Sequence, residues 1–279
     1  MKNTQNAKKF EELQFKDDYM FSILMRKPRY CKQFLETVLD IKIKRIEYPE
    51  TQATIDLSLP AKSIRLDVYV DDDEGTVYNI EMQTTKKANI PKRVRYYHGM
   101  IDLDILEKGA DYAQLKKSYV IFVCTFDLFE ENRPVYTFEN RCVQNTNLAL
   151  KDEAITVILN TKGTMKNISP KLQALLSYID TGKPTDEYTH VLDKAVQEAK
   201  RDKKWRSGYM TLQQKYSEMR EEGRAEGREE GLAEGRAEGR EEGRMELAIK
   251  LYRMNKLSAK EAADLIGITE KEFKELQNK

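Results

Sequence analysis

The chain has 279 residues, 40 % hydrophobic and 34 % charged, enough for one sizeable core plus an appendage or for two small domains. Its 48 basic and 47 acidic residues leave a net charge of +1, which excludes a global basic field, so any nucleic-acid partner must be met by local patches. Three scattered cysteines (Cys31, Cys124, Cys142) and only two histidines (His98, His190) exclude a disulfide framework, a thiolate zinc site and a histidine-rich metal centre, and fit a reducing cytosol.

The N-terminus reaches Lys8 and Lys9 without an apolar stretch, and no run approaches the ~18 apolar residues of a membrane span. A soluble cytoplasmic protein with no membrane partner is therefore expected. Phe21, Leu24 and Met25, then Phe34, Leu35, Val38 and Leu39, recur at helical spacing. Residues 64–70 and 77–83 alternate with a period of two around an acidic, glycine-containing turn at 71–75, which predicts a β-hairpin. Pro91 suits the first turn of a helix running to about Leu106. The continuous apolar run 119–124 predicts a strand buried on both faces, and 155–159 a further strand. Helices before and between strands make a mixed α/β sheet over residues 10–165.

Residues 166–219 read as a polar helical segment. From 220 to 244 a glycine recurs every four residues, six in all (Gly223 to Gly243), among Glu, Arg and Ala. Each Gly costs about 1 kcal/mol of helix propensity relative to Ala. The stretch reads either as a solvated low-complexity spacer or as a helical connector steadied by self-association along its glycines. Residues 245–279 form a helix-turn-helix-like tail. Ser258/Glu261 and Thr269/Glu272 have capping-box spacing, with Gly267 in the turn between the two helices. The second helix offers Glu270, Glu272 and Glu275 beside Lys271 and Lys274, which is not a basic reading face.

The chemistry is concentrated in the hairpin. If residue 70 pairs with 78, Asp67 faces Glu81 and Gln83 lies next along the same face. Two adjacent carboxylates repel unless a proton or a cation sits between them. Oxygen ligands with open positions suit Mg²⁺, or Mn²⁺, which polarise a phosphodiester and lower the pKa of an attacking water. The same spacing also fits two solvated carboxylates, or Asp67 paired with Arg65.

Asp67, a hairpin and then Glu81-Met82-Gln83 resemble the PD-(D/E)XK nuclease core, in the form with Gln for the usual Lys. The ordered set of segments 15–21, 79–84, 93–97, 108–112 and 121–129, with the glycine repeat, resembles the recombination-promoting nuclease or putative transposase family of these proteins. The resemblance covers about residues 10–165. It implies a restriction-endonuclease-like mixed sheet flanked by helices, here with a helical C-terminal extension. It also implies a Mg²⁺-dependent endonuclease acting on DNA, in a family tied to recombination, mobile elements and phage defence. By position, Asp67 and Glu81 would ligate the metal, Gln83 would stand where the lysine positions water, and Asp18 resembles an accessory acid. An amide supplies no positive charge, so a neighbouring base such as Lys86 or Arg93, or a second cation, must compensate. Lys86, Lys87, Lys92, Arg93 and Arg95 place five cations and no acid in ten residues, followed by Tyr97, and are the DNA-binding candidates. The alternative is a non-catalytic DNA-binding or oligomerising protein that keeps the nuclease fold.

Overall fold

The computed structural model describes residues 8–48, 68–107 and 109–277. Asp67 and residues 64–66 of the expected first hairpin strand lie outside the described residues, as does Lys108.

Two compact units divide between Tyr209 and Met210. The first is built on a six-stranded sheet of β1 (Ile46–Glu47), β2 (Val68–Asp72), β3 (Val77–Gln83), β4 (Ser118–Cys124), β5 (Val135–Phe138) and β6 (Ala154–Asn160), in the order β1-β2-β3-β4-β6-β5. β3, β4 and β6 run parallel, while β2 on one side and β5 on the other are antiparallel to their neighbours. The sheet is mixed and flanked by helices, as expected. In the hairpin Val70 pairs with Tyr78 and Val68 with Ile80, which is the register assumed for the site. The acidic turn is shorter than the expected 71–75, because Asp71 and Asp72 belong to β2. Asp72 accepts from the Glu74 and Thr76 amides and the Tyr78 hydroxyl, so it organises the turn instead of merely facing water.

Alternation along β3 sends its side chains into two cores. Tyr78, Ile80 and Met82 join Ile121, Val123, Val157 and Leu159 under α1 (Asp18–Met25), α2 (Pro28–Leu39), α4 (Pro170–Thr181) and α5 (Glu187–Arg201). Val77 shares the opposite face with Val120, Phe122 and Ile158, covered by Ile90, Tyr97 and Ile101 of α3 (Ile90–Ile105). Pro28 and Pro91 sit in the first turns of α2 and α3, where a missing N–H costs no helical bond. Packing does not stop at residue 165. Leu172, Leu175 and Tyr178 of α4 and Leu192 and Val196 of α5 are buried in the same core as β3, so these helices complete the first unit.

α6 (Lys203–Arg253) is one unbroken helix that carries the whole glycine repeat. Every residue from 214 to 247 is exposed. In the second unit the end of α6 packs with α7 (Ala259–Ile266) and α8 (Glu270–Gln277) around Ala248, Ala262, Ala263 and Phe273. Both capping boxes form, with Ser258 bonded to Glu261 and Thr269 to Glu272. Gly267 adopts φ +76°, the left-handed C-cap that favours glycine. Among the described residues no helix is long and apolar enough to cross a membrane.

Candidate active site

The carboxyl end of β3, the loop that follows it, the start of α3 and Asp18 of α1 border a polar cleft of about 320 Å³. Ligands of open α/β sheets commonly bind outside such strand ends. Asp18, Glu81, Gln83, Thr85, Lys87, Arg93 and Tyr97 are among its lining residues. The Thr125 amide and hydroxyl bond the Gln83 and Thr84 carbonyls, tying the loop after β4 to the end of β3.

Glu81 is only 3 % exposed and Gln83 8 %, because β3 is central and α3 roofs this face. A carboxylate on a half-solvated strand face is thereby excluded. A buried charge needs a partner, and Arg93 supplies it. Its Nη2 lies 3.2 Å from Glu81 Oε2, and its Nη1 donates to Gln83 Oε1 at 2.7 Å. The same Nη2 donates to the Tyr97 hydroxyl at 2.8 Å, and that hydroxyl donates to Glu81 Oε2 at 3.3 Å. Gln83 spends its amide nitrogen on the Thr85 carbonyl at 2.9 Å, which leaves Oε1 oriented toward the guanidinium. Arg93 also lies over the Tyr97 and Phe122 rings, 5.5 and 5.3 Å from their centroids.

Asp18 opens α1 at the rim of the cleft. Loss of hydration raises its pKa above the usual 3.8, Asp17 pushes the same way, and Lys87 and Arg93 pull it down. Glu81 and Asp18 thus put two carboxylates in one cleft, an oxygen donor set that suits a Mg²⁺-type ion retaining several waters. Among the described residues no group of three or more His, Cys, Asp or Glu side chains converges on a metal position. Asp67, the other expected ligand, lies outside the described residues.

The basic window does not act as one surface. Lys87, Lys92 and Arg95 are exposed, and Lys86 is exposed but paired with Glu130 at 2.5 Å. Arg93 turns inward to the cleft. Tyr97 is 2 % exposed and its ring stacks on Phe122, 5.9 Å between centroids. Its hydroxyl alone reaches the cleft. His98 is bonded at 3.1 Å to the Ser118 and Thr156 hydroxyls. The Tyr97–Glu81 contact was not anticipated from the sequence. The spacing of Arg93 and Tyr97, one helical turn apart, is the signal that both face the same strand.

No curated protein and no solved structure matches the chain. Residues 16–221 match the PD-(D/E)XK nuclease family transposases, a span that contains the whole sheet, the cleft and the hairpin. With nearly three quarters of its length inside that match, the chain belongs to this family of nuclease-fold proteins.

Proposed function

We propose that the chain is a metal-dependent DNA endonuclease, hydrolysing phosphodiester bonds in the cytoplasm in a setting of recombination, mobile elements or phage defence. The observation that carries this reading is Glu81. It is a buried carboxylate at the end of a central strand, opening into a polar cleft shared with Asp18, Gln83 and Arg93. Asp67 and Glu81 are the proposed ligands of Mg²⁺ or Mn²⁺, with Asp18 as accessory acid. When bound, the ion supplies Lewis-acid polarisation of the phosphate and acidifies the attacking water. Gln83 and Arg93 orient the reacting groups, and exposed Lys87, Lys92 and Arg95 draw the DNA backbone toward the cleft. The Tyr97 hydroxyl reaches the cleft, and Lys86 is a further proposed contact to the DNA backbone.

Water adds across one P–O bond. Its oxygen bonds to phosphorus, the ester oxygen departs with the electron pair and takes up a proton, and the water proton passes to solvent. The test is nicking of supercoiled plasmid with Mg²⁺ against EDTA. The reading expects cutting by the parent protein and its loss, with DNA binding kept, in Asp67→Ala and Glu81→Ala. Absence of metal-dependent cutting overturns it.

A second reading is favoured by one contact. The Arg93–Glu81 ion pair already neutralises the buried carboxylate without a metal. In that reading the chain keeps the fold to bind DNA or to assemble through its tail, and the parent protein binds plasmid but leaves it intact.

A further inference from the structure

We propose that Arg93, held by Gln83, is the fixed cation of the cleft and contacts the scissile phosphate, so that Gln83 and Arg93 together replace the missing lysine. The proposal rests on the nuclease reading above.

Of the two side chains named for the missing charge, Lys86 and Arg93, the structure brings only Arg93 into the cleft lining. Lys86 sits on the exposed loop after β3 and is paired with Glu130. Arg93 lies in the cleft with its side chain 26 % exposed, gripped by Gln83, Glu81 and Tyr97 and resting on two aromatic rings. Its placement is therefore fixed before substrate arrives, which is what makes a charge effective at a developing oxyanion.

The identity of residue 83 then follows from charge. An amide oxygen accepts from the Arg93 guanidinium at 2.7 Å. A lysine at 83 would place an ammonium against that guanidinium, two cations repelling in a partly buried site. Gln83 is thus the residue that permits Arg93. Among the bonds of Arg93 to Gln83, Tyr97 and Glu81, the one to Glu81 is the longest at 3.2 Å. A phosphate oxygen exchanges for Glu81 there, while Nη1 stays on Gln83. Arginine does not deprotonate in proteins, so Arg93 stabilises charge and takes no proton from water. Its planar fork suits a phosphate.

The experiment uses the full chain and four variants: Arg93→Lys, Arg93→Met, Gln83→Lys and the double variant Gln83→Lys/Arg93→Met. Plasmid nicking is expected to fall on the order of 10²–10³-fold in Arg93→Met, the scale of losing one preorganised charge-stabilising group. Arg93→Lys is expected to retain more activity than Arg93→Met. Gln83→Lys alone is expected to lose activity, and the double variant to cut at least about tenfold faster than Arg93→Met, since each ammonium works only without the other cation. Calorimetry with Mn²⁺ supplies the second readout. Removing the cation from Glu81 is expected to tighten Mn²⁺ binding in Arg93→Met, whereas an arginine that merely props up the site would weaken it. Parent-like cutting by Arg93→Met, no rescue in the double variant, or weakened Mn²⁺ binding each overturns the proposal. If the parent protein itself does not cut, the nuclease reading falls first and this one with it.

Discussion

The Tyr97 hydroxyl lies 3.3 Å from Glu81 Oε2, at the end of a ring that stacks on Phe122 beneath α3. This joins the packing of a helix to the chemistry of a strand. Tyr97→Phe keeps the stack and removes only the hydroxyl, so it is expected to cost about 1 kcal/mol of stability, the usual net value of one hydrogen bond. Cutting should fall by about tenfold or less, because Arg93 continues to hold Glu81. DNA affinity should not change, since the ring offers no face to a base. A filter-binding measurement showing a tenfold loss of affinity would place Tyr97 in the DNA interface after all.

Asn79 precedes Glu81 by two residues on the same strand face and is fully buried. Neither polar atom of its side chain has a hydrogen-bond partner among the described residues. An unpaired buried amide costs roughly 1–3 kcal/mol, so Asn79→Leu, close in volume, is expected to raise unfolding free energy by up to about that amount. Urea denaturation with an unchanged slope is the check. Destabilisation in this variant would reveal a partner for the amide.

His98 gives the fold a pH dependence whose sign follows from its burial. Burial lowers its pKa below the usual 6.5, with Asp152 opposing weakly, because a charged imidazole is poorly solvated between α3, β4 and β6. A depressed folded-state pKa contributes stability that is complete above the unfolded pKa of about 6.5 and is lost as pH falls below it. Asp102, raised by burial, works in the opposite direction, so the comparison must be with a variant. The melting temperature of the parent relative to His98→Gln is expected to decline from pH 7 to pH 5 and to be level above pH 7. A difference that stays constant across that range removes His98 as the cause.

The hairpin was legible from a period of two around an acidic turn, whereas its register was an assumption that Val70 meeting Tyr78 matches. What the alternation could not convey was burial. Asn79, Glu81 and Gln83 alternate with apolar residues and so resemble the solvent face of an antiparallel ribbon, yet all seven residues of β3 are buried. The polar face is covered because β4 pairs along the whole strand and α3 lies across it. β5 was missed for a simpler reason: four residues, 135–138, are too few for a periodic signal. The cut at residue 165 followed a change of texture, whereas Leu175 and Tyr178 show that the core continues into α4. Arg93 was legible as one cation among five, but only the fold shows that it turns inward while Lys92 and Arg95 stay exposed.

The glycine repeat tests how α6 is held. None of the six glycines from 223 to 243 has an atom within 4 Å of where a Cβ would stand, so alanine fits at each without displacement. Each Gly→Ala change is expected to add close to 1 kcal/mol of helix propensity. Like charges also stack one turn apart, Glu222 above Glu226 and Arg236 above Arg240, which weakens the helix further. A period of four on a helix of 3.6 residues per turn rotates the glycine row by about 40° per repeat, so the six do not share one face for a straight partner helix. The helix is thus expected to open locally between 220 and 244. Alanine at Gly231 and Gly235 should slow amide hydrogen exchange there by about tenfold or more, with no change in the sheet. Sedimentation of the same variant decides whether the glycines serve assembly. A monomer that stays a monomer makes the repeat a spacer, whereas dissociation of an oligomer on adding two methyl groups would show that another chain approaches the backbone at those positions.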